Sequence, residues 1–556
     1  KILSIDSNHF DTIFLMSNLV AIAGDFGKTK KLLIRAISLQ PNNFSAQNNL
    51  GNTYKELNDF KNAIKCYEET IKIKHDHPNA HFNLGVIYFK LKQLDEAKKY
   101  FEKTIQLQPN YALAYFNLGN VFTEYRNYKK AKEVFQKVIS ISPEYASAHN
   151  NLGLIFRISG EYEQAINCYK KTIQLQPNHA GAFNNLGMAY KELGDFKNAI
   201  KSHEEAVKLE PENLYHYFYL SELKKDFLDD KLIEKVGSIT KNNKSSKANL
   251  AFGNFLLARY ENKKKNYEKE FNYLLKAHSN YFDTKKGKFD LGVKYVFNEL
   301  LEIKDSISVK KTDKKDEKKI QPIFIVGVPR CGSTLVEKII ASGQSSIPIG
   351  EETAIIENYI NSKILKLKSV NLGKTEDVRN EIVEIYSEKG LIKKENDFIF
   401  TDKSLNNFFY IPFLLEVFPS AKIINCKRNT LASIMSILQN NLTELAWAHD
   451  LKNIFKYFDL YFDVMSKLQK KYKSFIYEVD FEKFTQNPEQ ESKKLIKFCG
   501  LKWDKKCLEY YKRKDIISKT TSFKQIRKAV YKHQEERYLP YKKFLDDYAG
   551  KYSWFL

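Results

Sequence analysis

Apolar runs long enough to cross a membrane are missing, since no stretch approaches the about 18 residues that a spanning helix needs. Cysteines in metal or redox spacing are missing too. The six cysteines (Cys66, Cys168, Cys331, Cys426, Cys499 and Cys507) form no C-x-x-C and pair with no histidine at ligand spacing. Neither zinc nor a disulfide framework is indicated, no metal is expected, and reduced thiols in a cytoplasmic setting are the default. Because the chain begins at Lys1 and not at Met, a trimmed leader or anchor stays open. Apolar material is not scarce: 43% of residues are hydrophobic, with 34 Tyr and 39 Phe, which excludes a disordered chain. At 556 residues the chain is too long for one core. Its net charge of +23 comes from lysines dispersed among acids on helix-patterned segments. That pattern reads as solvated faces with some attraction for anionic ligands, and no nucleic-acid partner is expected.

The chain is organised around residues 323–340, where the apolar run Ile323-Phe324-Ile325-Val326 meets a glycine turn and then a helix pattern. Four apolar residues bounded by a turn suit a strand buried on both faces in a parallel sheet. Gly327 and Gly332 let the loop amides and the next helix N-terminus converge on one point, a site for an anion. The spacing from Gly327 to Thr334 is that of a P-loop, G-x-x-x-x-G-x-T, but Ser333 stands where a nucleotide triphosphatase places its Lys. Hydrolysis of ATP or GTP is therefore disfavoured, and Arg330 supplies the cation.

The first half is periodic. Leu-Gly pairs begin at Leu50, Leu84, Leu118, Leu152 and Leu186, each 34 after the last. The same step places Ala63, Ala97, Ala131, Ala165 and Ala199, and also Pro41, Pro109, Pro143, Pro177 and Pro211, with His75 in the missing slot. A 34-residue unit with fixed small residues and a terminal Pro predicts two antiparallel helices. Residues 44–211 resemble tetratricopeptide repeats, and 8–43 look like a degenerate opening repeat. Asn49, Asn83, Asn117, Asn151 and Asn185 precede the Leu-Gly pairs. Stacking would bring these amides into a row, and a similar row holds peptide backbone in some repeat proteins of this kind. Cys66 and Cys168 read as small buried residues. The sequence-based domains are 1–211, repeats; 212–303, an irregular helical extension; 304–320, a linker with seven Lys and four acids in residues 304–319; and 321–556, an α/β P-loop-like domain with a central parallel sheet.

In that last domain, Pro329-Arg330-Cys331-Gly332-Ser333-Thr334 resembles the phosphosulfate loop P-R-S-G-T-T of sulfotransferases that use 3′-phosphoadenosine 5′-phosphosulfate (PAPS). Gly350-Glu351-Glu352-Thr353 is similar to the G-E-E-T of protein tyrosine sulfotransferases, whose second Glu is the general base; Glu352 matches it. Lys403, after Phe400-Thr401-Asp402, matches the Lys that neutralises charge on the transferring group. Arg428 and Ser436 stand eight apart, the spacing by which the family holds the 3′-phosphate. Phe481 replaces a family Tyr, so a hydroxyl contact to the nucleotide is lost. Ser522 matches a transition-state serine, and Lys528 and Arg537 fall on basic positions near the nucleotide. One departure concerns the acceptor: an Arg that follows G-E-E-T in the tyrosine enzymes is Ala354 here.

The resemblance implies transfer of a sulfuryl group from PAPS to a hydroxyl, foremost on a protein or peptide tyrosine, without a metal. Glu352, Arg330, Lys403 and Ser522 would be catalytic; Arg330, Cys331, Gly332, Ser333, Thr334, Arg428, Ser436, Phe481, Lys528 and Arg537 would bind the nucleotide. The repeat groove would hold the protein acceptor or a partner. A carbohydrate or small-molecule acceptor, a P-loop nucleotide kinase and a repeat scaffold with an inactive domain stand as alternatives.

Overall fold

The computed structural model describes residues 8–224, 226–242, 244–310, 320–343, 347–367, 371–392, 398–513, 527, 529–530 and 535–555. The chain divides into two compact units, Lys1–Glu210 and Pro211–Leu556.

The first unit is a tetratricopeptide array of paired helices from Phe10–Ile22 to Phe196–Leu209. The 34-residue period has a direct steric cause. A side chain on Gly51 would meet the Tyr67 ring at 2.7 Å, one on Gly85 the Phe101 ring at 2.7 Å, and one on Gly119 the Phe135 ring at 2.6 Å. Gly153 stands in the same way against Tyr169, and Gly187 against His203. Each pair thus crosses where the first helix has no side chain and the second offers a flat ring, while Ala63, Ala97, Ala131, Ala165 and Ala199 are fully buried. Second helices open on Asp59, Asn127 and Asp195, whose side chains accept from first-turn amides. Residues 8–43 form a helix pair like the others, Phe10–Ile22 with Phe26–Leu39. Cys66 is buried and Cys168 half-buried, and burial pushes each thiol up to about 11.

The asparagines form a ladder between repeats. Asn49 Nδ2 donates to Asn18 Oδ1 at 2.9 Å, Asn83 to Asn52 at 3.1 Å, and Asn151 to Asn120 at 2.9 Å, each 31 residues back. For Asn117 the residue 31 back is Val86, and its amide turns to Leu113 O in its own helix (2.8 Å). For Asn185 it is Leu154, and the amide takes Asn150 Oδ1 instead (3.1 Å).

In the second unit, helices from Leu214–Leu223 onward lead to α1 (Tyr267–Thr284). The stretch expected to be a linker begins as helix Leu300–Ser306 and continues as a strand; residues 311–319 lie outside the described residues. The strands are β1 (Ser308–Lys310), β2 (Gln321–Val326), β3 (Asn371–Lys374), β4 (Ile399–Asp402), β5 (Lys422–Lys427) and β6 (Ile476–Asp480). β1 pairs with β3, and the other four form a parallel sheet in the order β4-β2-β5-β6. The apolar run of β2 is the centre of this sheet, Ile323 and Phe324 being fully buried. The loop after β2 feeds α2 (Ser333–Ala341), and the loop after β5 feeds α3 (Thr430–Leu438). The sheet order therefore reverses between β2 and β5 neighbours, and a crevice outside the carboxyl ends of such strands is where ligands bind in open α/β sheets.

The middle helices belong to this same unit. His278 on α1 contacts His449 (Nδ1···Nδ1 2.9 Å) and Leu438 O at 2.8 Å, and burial lowers the two rings to about 4 and about 3, so both are neutral near pH 7. Glu270 on α1 is buried and accepts from Asn262, Gln439 and Tyr541.

Candidate active site

The loop from Gly327 to Gly332 is shaped by contacts that leave no room for a Cβ. A side chain at Gly327 would meet Cys331 Sγ at 2.6 Å and Cys426 O at 2.7 Å. At Gly332, with φ 96°, it would meet the Phe481 ring at 2.2 Å. Arg330 stands at φ 70°, a left-handed conformation that side chains seldom adopt. The Cys331 thiol faces inward to Cys426; the bond from Cys426 lowers Cys331 and raises Cys426. Cys331 thus packs the loop.

Three predicted residues meet here. Arg330 Nε donates to Ser436 Oγ at 2.9 Å, and Arg428 Nη1 donates to the Arg330 carbonyl at 2.8 Å. The Arg428 guanidinium also lies 5.1 Å from the Phe481 ring centre. Burial, and then the neighbouring Arg428, lower Arg330 to about 10, so it stays a cation near pH 7. Two guanidinium groups held close enough that each disfavours the other's charge favour an anion beside them. The N-cap of α2 is Gly332, which brings no capping side chain, and the first-turn amides of the helix sit at the same loop.

A second cluster lies at the end of β4. Residues 348–354 run along that strand: Ile349 bridges to Thr401, Thr401 N donates to Pro348 O (3.0 Å), and Lys403 N donates to Glu351 O (2.8 Å). Asp402, fully buried, fixes both segments, accepting from Thr353 Oγ1 (3.1 Å), Tyr386 OH (2.6 Å), Ser404 N (2.9 Å), Ser404 Oγ (2.6 Å) and Asn407 Nδ2 (3.0 Å). Lys403 Nζ thereby reaches Glu352 Oε1 at 3.0 Å. Burial alone would lower Lys403, but Glu352, Glu337 and Glu351 outweigh it and hold the ammonium above its ordinary value. Glu351 pairs with Lys338 instead, at 3.4 Å.

Residues 322–505 match the family model described as "Sulfotransferase family", and residues 19–227 match "Cilia and flagella-associated protein 70 C-terminal domain". The C-terminal half is a sulfotransferase-family domain. An uncharacterized protein of Aquifex aeolicus is 29% identical over 53% of this chain and 40% of its own length. Protein-tyrosine sulfotransferase A of Caenorhabditis elegans is 23% identical over 37% of this chain and 56% of its own. The chain thus spans about half the length of the curated relatives it matches. A crystal structure of MamA is 28% identical, covering 29% of this chain and 95% of that one, with a TM-score of 0.28.

Within the sulfotransferase domain, Ser522 and Lys528 lie outside the described residues. Arg537 is exposed and bonds Tyr538, whose phenol offsets part of the desolvation of Arg330. Among the described residues no group of three or more His, Cys, Asp or Glu is arranged to hold a metal, and no helix is long and apolar enough to cross a membrane. Sequence reasoning gave no role to Glu337, Asp402, Ser404 or Tyr538. Asp402 had one available signal, its place between a buried strand and Lys403. Glu337 had none, since a Glu beside a Lys on a helix ordinarily faces solvent.

Proposed function

We propose that the chain transfers the sulfuryl group of PAPS to an acceptor hydroxyl, foremost the phenol of a protein or peptide tyrosine. The observation that carries this reading is the convergence of the Arg330–Ser436–Arg428 group with the α2 N-terminus, beside a half-exposed carboxylate paired to a buried ammonium. Arg428 and Ser436 would grip the 3′-phosphate, and the loop 330–334 the 5′-phosphosulfate. Phe481, against Gly332 and Arg428, would wall the nucleotide side. The acceptor oxygen attacks sulfur as the bond from sulfur to the bridging phosphate oxygen breaks. Its proton passes to Glu352, and adenosine 3′,5′-bisphosphate leaves. A phenol near pKa 10 is protonated at neutral pH, so a base within reach accelerates the step. Lys403 and Arg330, fixed before reaction, oppose the charge on the sulfuryl oxygens and bridging oxygen. Ser522, Lys528 and Arg537 complete the set by resemblance.

The repeats would hold the acceptor or a partner protein, in a reducing, cytoplasmic setting. Each ladder amide has a second N–H for a peptide carbonyl. Thermal shift tests the donor first: adenosine 3′,5′-bisphosphate without magnesium should stabilise the protein and Mg-ATP should not. Labelled sulfate from PAPS should then enter an acidic tyrosine peptide in preference to carbohydrate. Stabilisation by Mg-ATP alone would sink the reading in favour of a nucleotide kinase, and response to neither would favour the inactive scaffold.

A further inference from the structure

Glu337 lies one turn into α2, in the helix that begins at the donor loop, and its side chain is fully buried. Its Oε1 accepts from the Thr401 hydroxyl at 2.8 Å and from Glu351 N–H at 3.1 Å. Thr401 belongs to β4, two residues before Lys403, and Glu351 directly precedes Glu352. One oxygen atom thus joins the three elements that bring the donor loop, Glu352 and Lys403 together. We infer that Glu337 is a positioning residue for transfer, holding the Glu352 turn and the Lys403 strand in register with the donor-loop helix.

The turn needs such an anchor. Glu351 stands at φ 47° and Ala354 at φ 51°, left-handed values that persist in side-chain-bearing residues only where surroundings over-determine them. Glu351 is held at its N–H by Glu337, at its carbonyl by Lys403 N, and at its carboxylate by Lys338. Thr401 Oγ1 in turn accepts from Gly350 N at 3.3 Å, so the Glu337 bond also orients the hydroxyl that fixes the start of the turn. Among the described residues the other carboxyl oxygen of Glu337 has no hydrogen-bond partner. Burial, opposed by Lys403 and Lys338, raises this carboxyl to about 7, and a proton on the free oxygen leaves Oε1 an acceptor. Positioning therefore depends on a correctly placed acceptor oxygen, which Gln also carries.

The inference rests on the proposed sulfuryl transfer, and the test separates the two. Wild type, Glu337→Leu, Glu337→Gln and Thr401→Val are assayed with PAPS and a synthetic acidic tyrosine peptide, and by thermal shift with adenosine 3′,5′-bisphosphate. Glu337→Leu should lower kcat about tenfold or more while the KM for PAPS and the nucleotide shift stay near wild type, as expected when a reacting group is misplaced. Glu337→Gln should recover most of kcat, and Thr401→Val should lose several-fold. A kcat for Glu337→Leu at the wild-type level, a parallel loss of nucleotide binding, or a Glu337→Gln as slow as Glu337→Leu overturns the inference. If Glu337→Leu does not fold, Thr401→Val decides, and wild-type kcat there overturns it. A wild type inert toward both PAPS and the bisphosphate removes the transfer reading, and this inference with it.

Discussion

Lys403 and Glu352 meet at 3.0 Å across a steep change in exposure, the lysine side chain 2% exposed and the glutamate 52%. The pair is poised with its basic end toward solvent, where an acceptor hydroxyl would arrive, and its cation fixed beneath. Glu352→Gln is expected to lower kcat by about a hundredfold or more, in the range of general-base loss, with nucleotide affinity unchanged. Steady-state transfer assays and calorimetry check this; wild-type turnover would exclude Glu352 as the base.

Arg428 bonds the loop carbonyl of Arg330, and in the proposed function it would also grip the 3′-phosphate. Arg428→Ala should therefore weaken adenosine 3′,5′-bisphosphate by roughly ten- to a hundredfold, the range of a charged hydrogen bond. Titration calorimetry measures it, and unchanged affinity would remove Arg428 from the site.

Glu337 also predicts a pH dependence of stability. Its folded pKa, about 7, lies above the ordinary value of 4.5, so the native state holds an extra proton between them. That contribution is fully present below about pH 4.5 and lost as pH rises through about 7. Relative to Glu337→Gln, wild type should lose on the order of 2 kcal/mol between about pH 5 and about pH 8. Denaturant melts at the two pH values report it; a constant difference between the proteins would contradict it.

In the repeats, Gly119→Ala should cost about 1–3 kcal/mol, because the added methyl meets the Phe135 ring and the helices must part. Pairing it with Phe135→Leu should recover part of the loss. Equal stability of Gly119→Ala and wild type in urea would show that the crossing has slack.

If the array presents a peptide, a chain starting at Pro211 should lose much more activity on a long tyrosine peptide than on a small phenol, since remote contacts act only on the long acceptor. Equal losses would instead indicate a damaged catalytic unit. Full activity on both would deny the repeats any part in acceptor binding.

The repeats were legible because one steric solution recurs every 34 residues, and a glycine facing a ring is a local requirement repeated five times. The loop after β2 was legible for a similar reason: its glycines, Arg330 and hydroxyls all fall within residues 327–334. Lys403 and Glu352 needed family resemblance, because nothing between residues 352 and 403 says that they touch. Glu337 and Glu270 were not legible at all, and Asp402 only through its place between a buried strand and Lys403. Each is a charged residue in a helix or at a strand end, a pattern usually solvated, and each is buried by partners distant in the chain. The lysine-rich stretch hid β1 because Ser308-Val309-Lys310 has one apolar residue, too few for a periodic signal.

The bond from Tyr541 to Glu270 spans 271 residues of chain, and that from Asn262 to Tyr541 spans 279. The ladder bonds of the repeats close within 31 to 35. On the ribosome the two units should therefore mature on different schedules: the array can consolidate helix pair by helix pair as it emerges, whereas α1 must wait for Tyr541. Pulse proteolysis of stalled nascent chains should find the array protected early and α1 protected only after Tyr541 clears the exit tunnel. Early protection of α1 would mean that the middle helices have an interim partner.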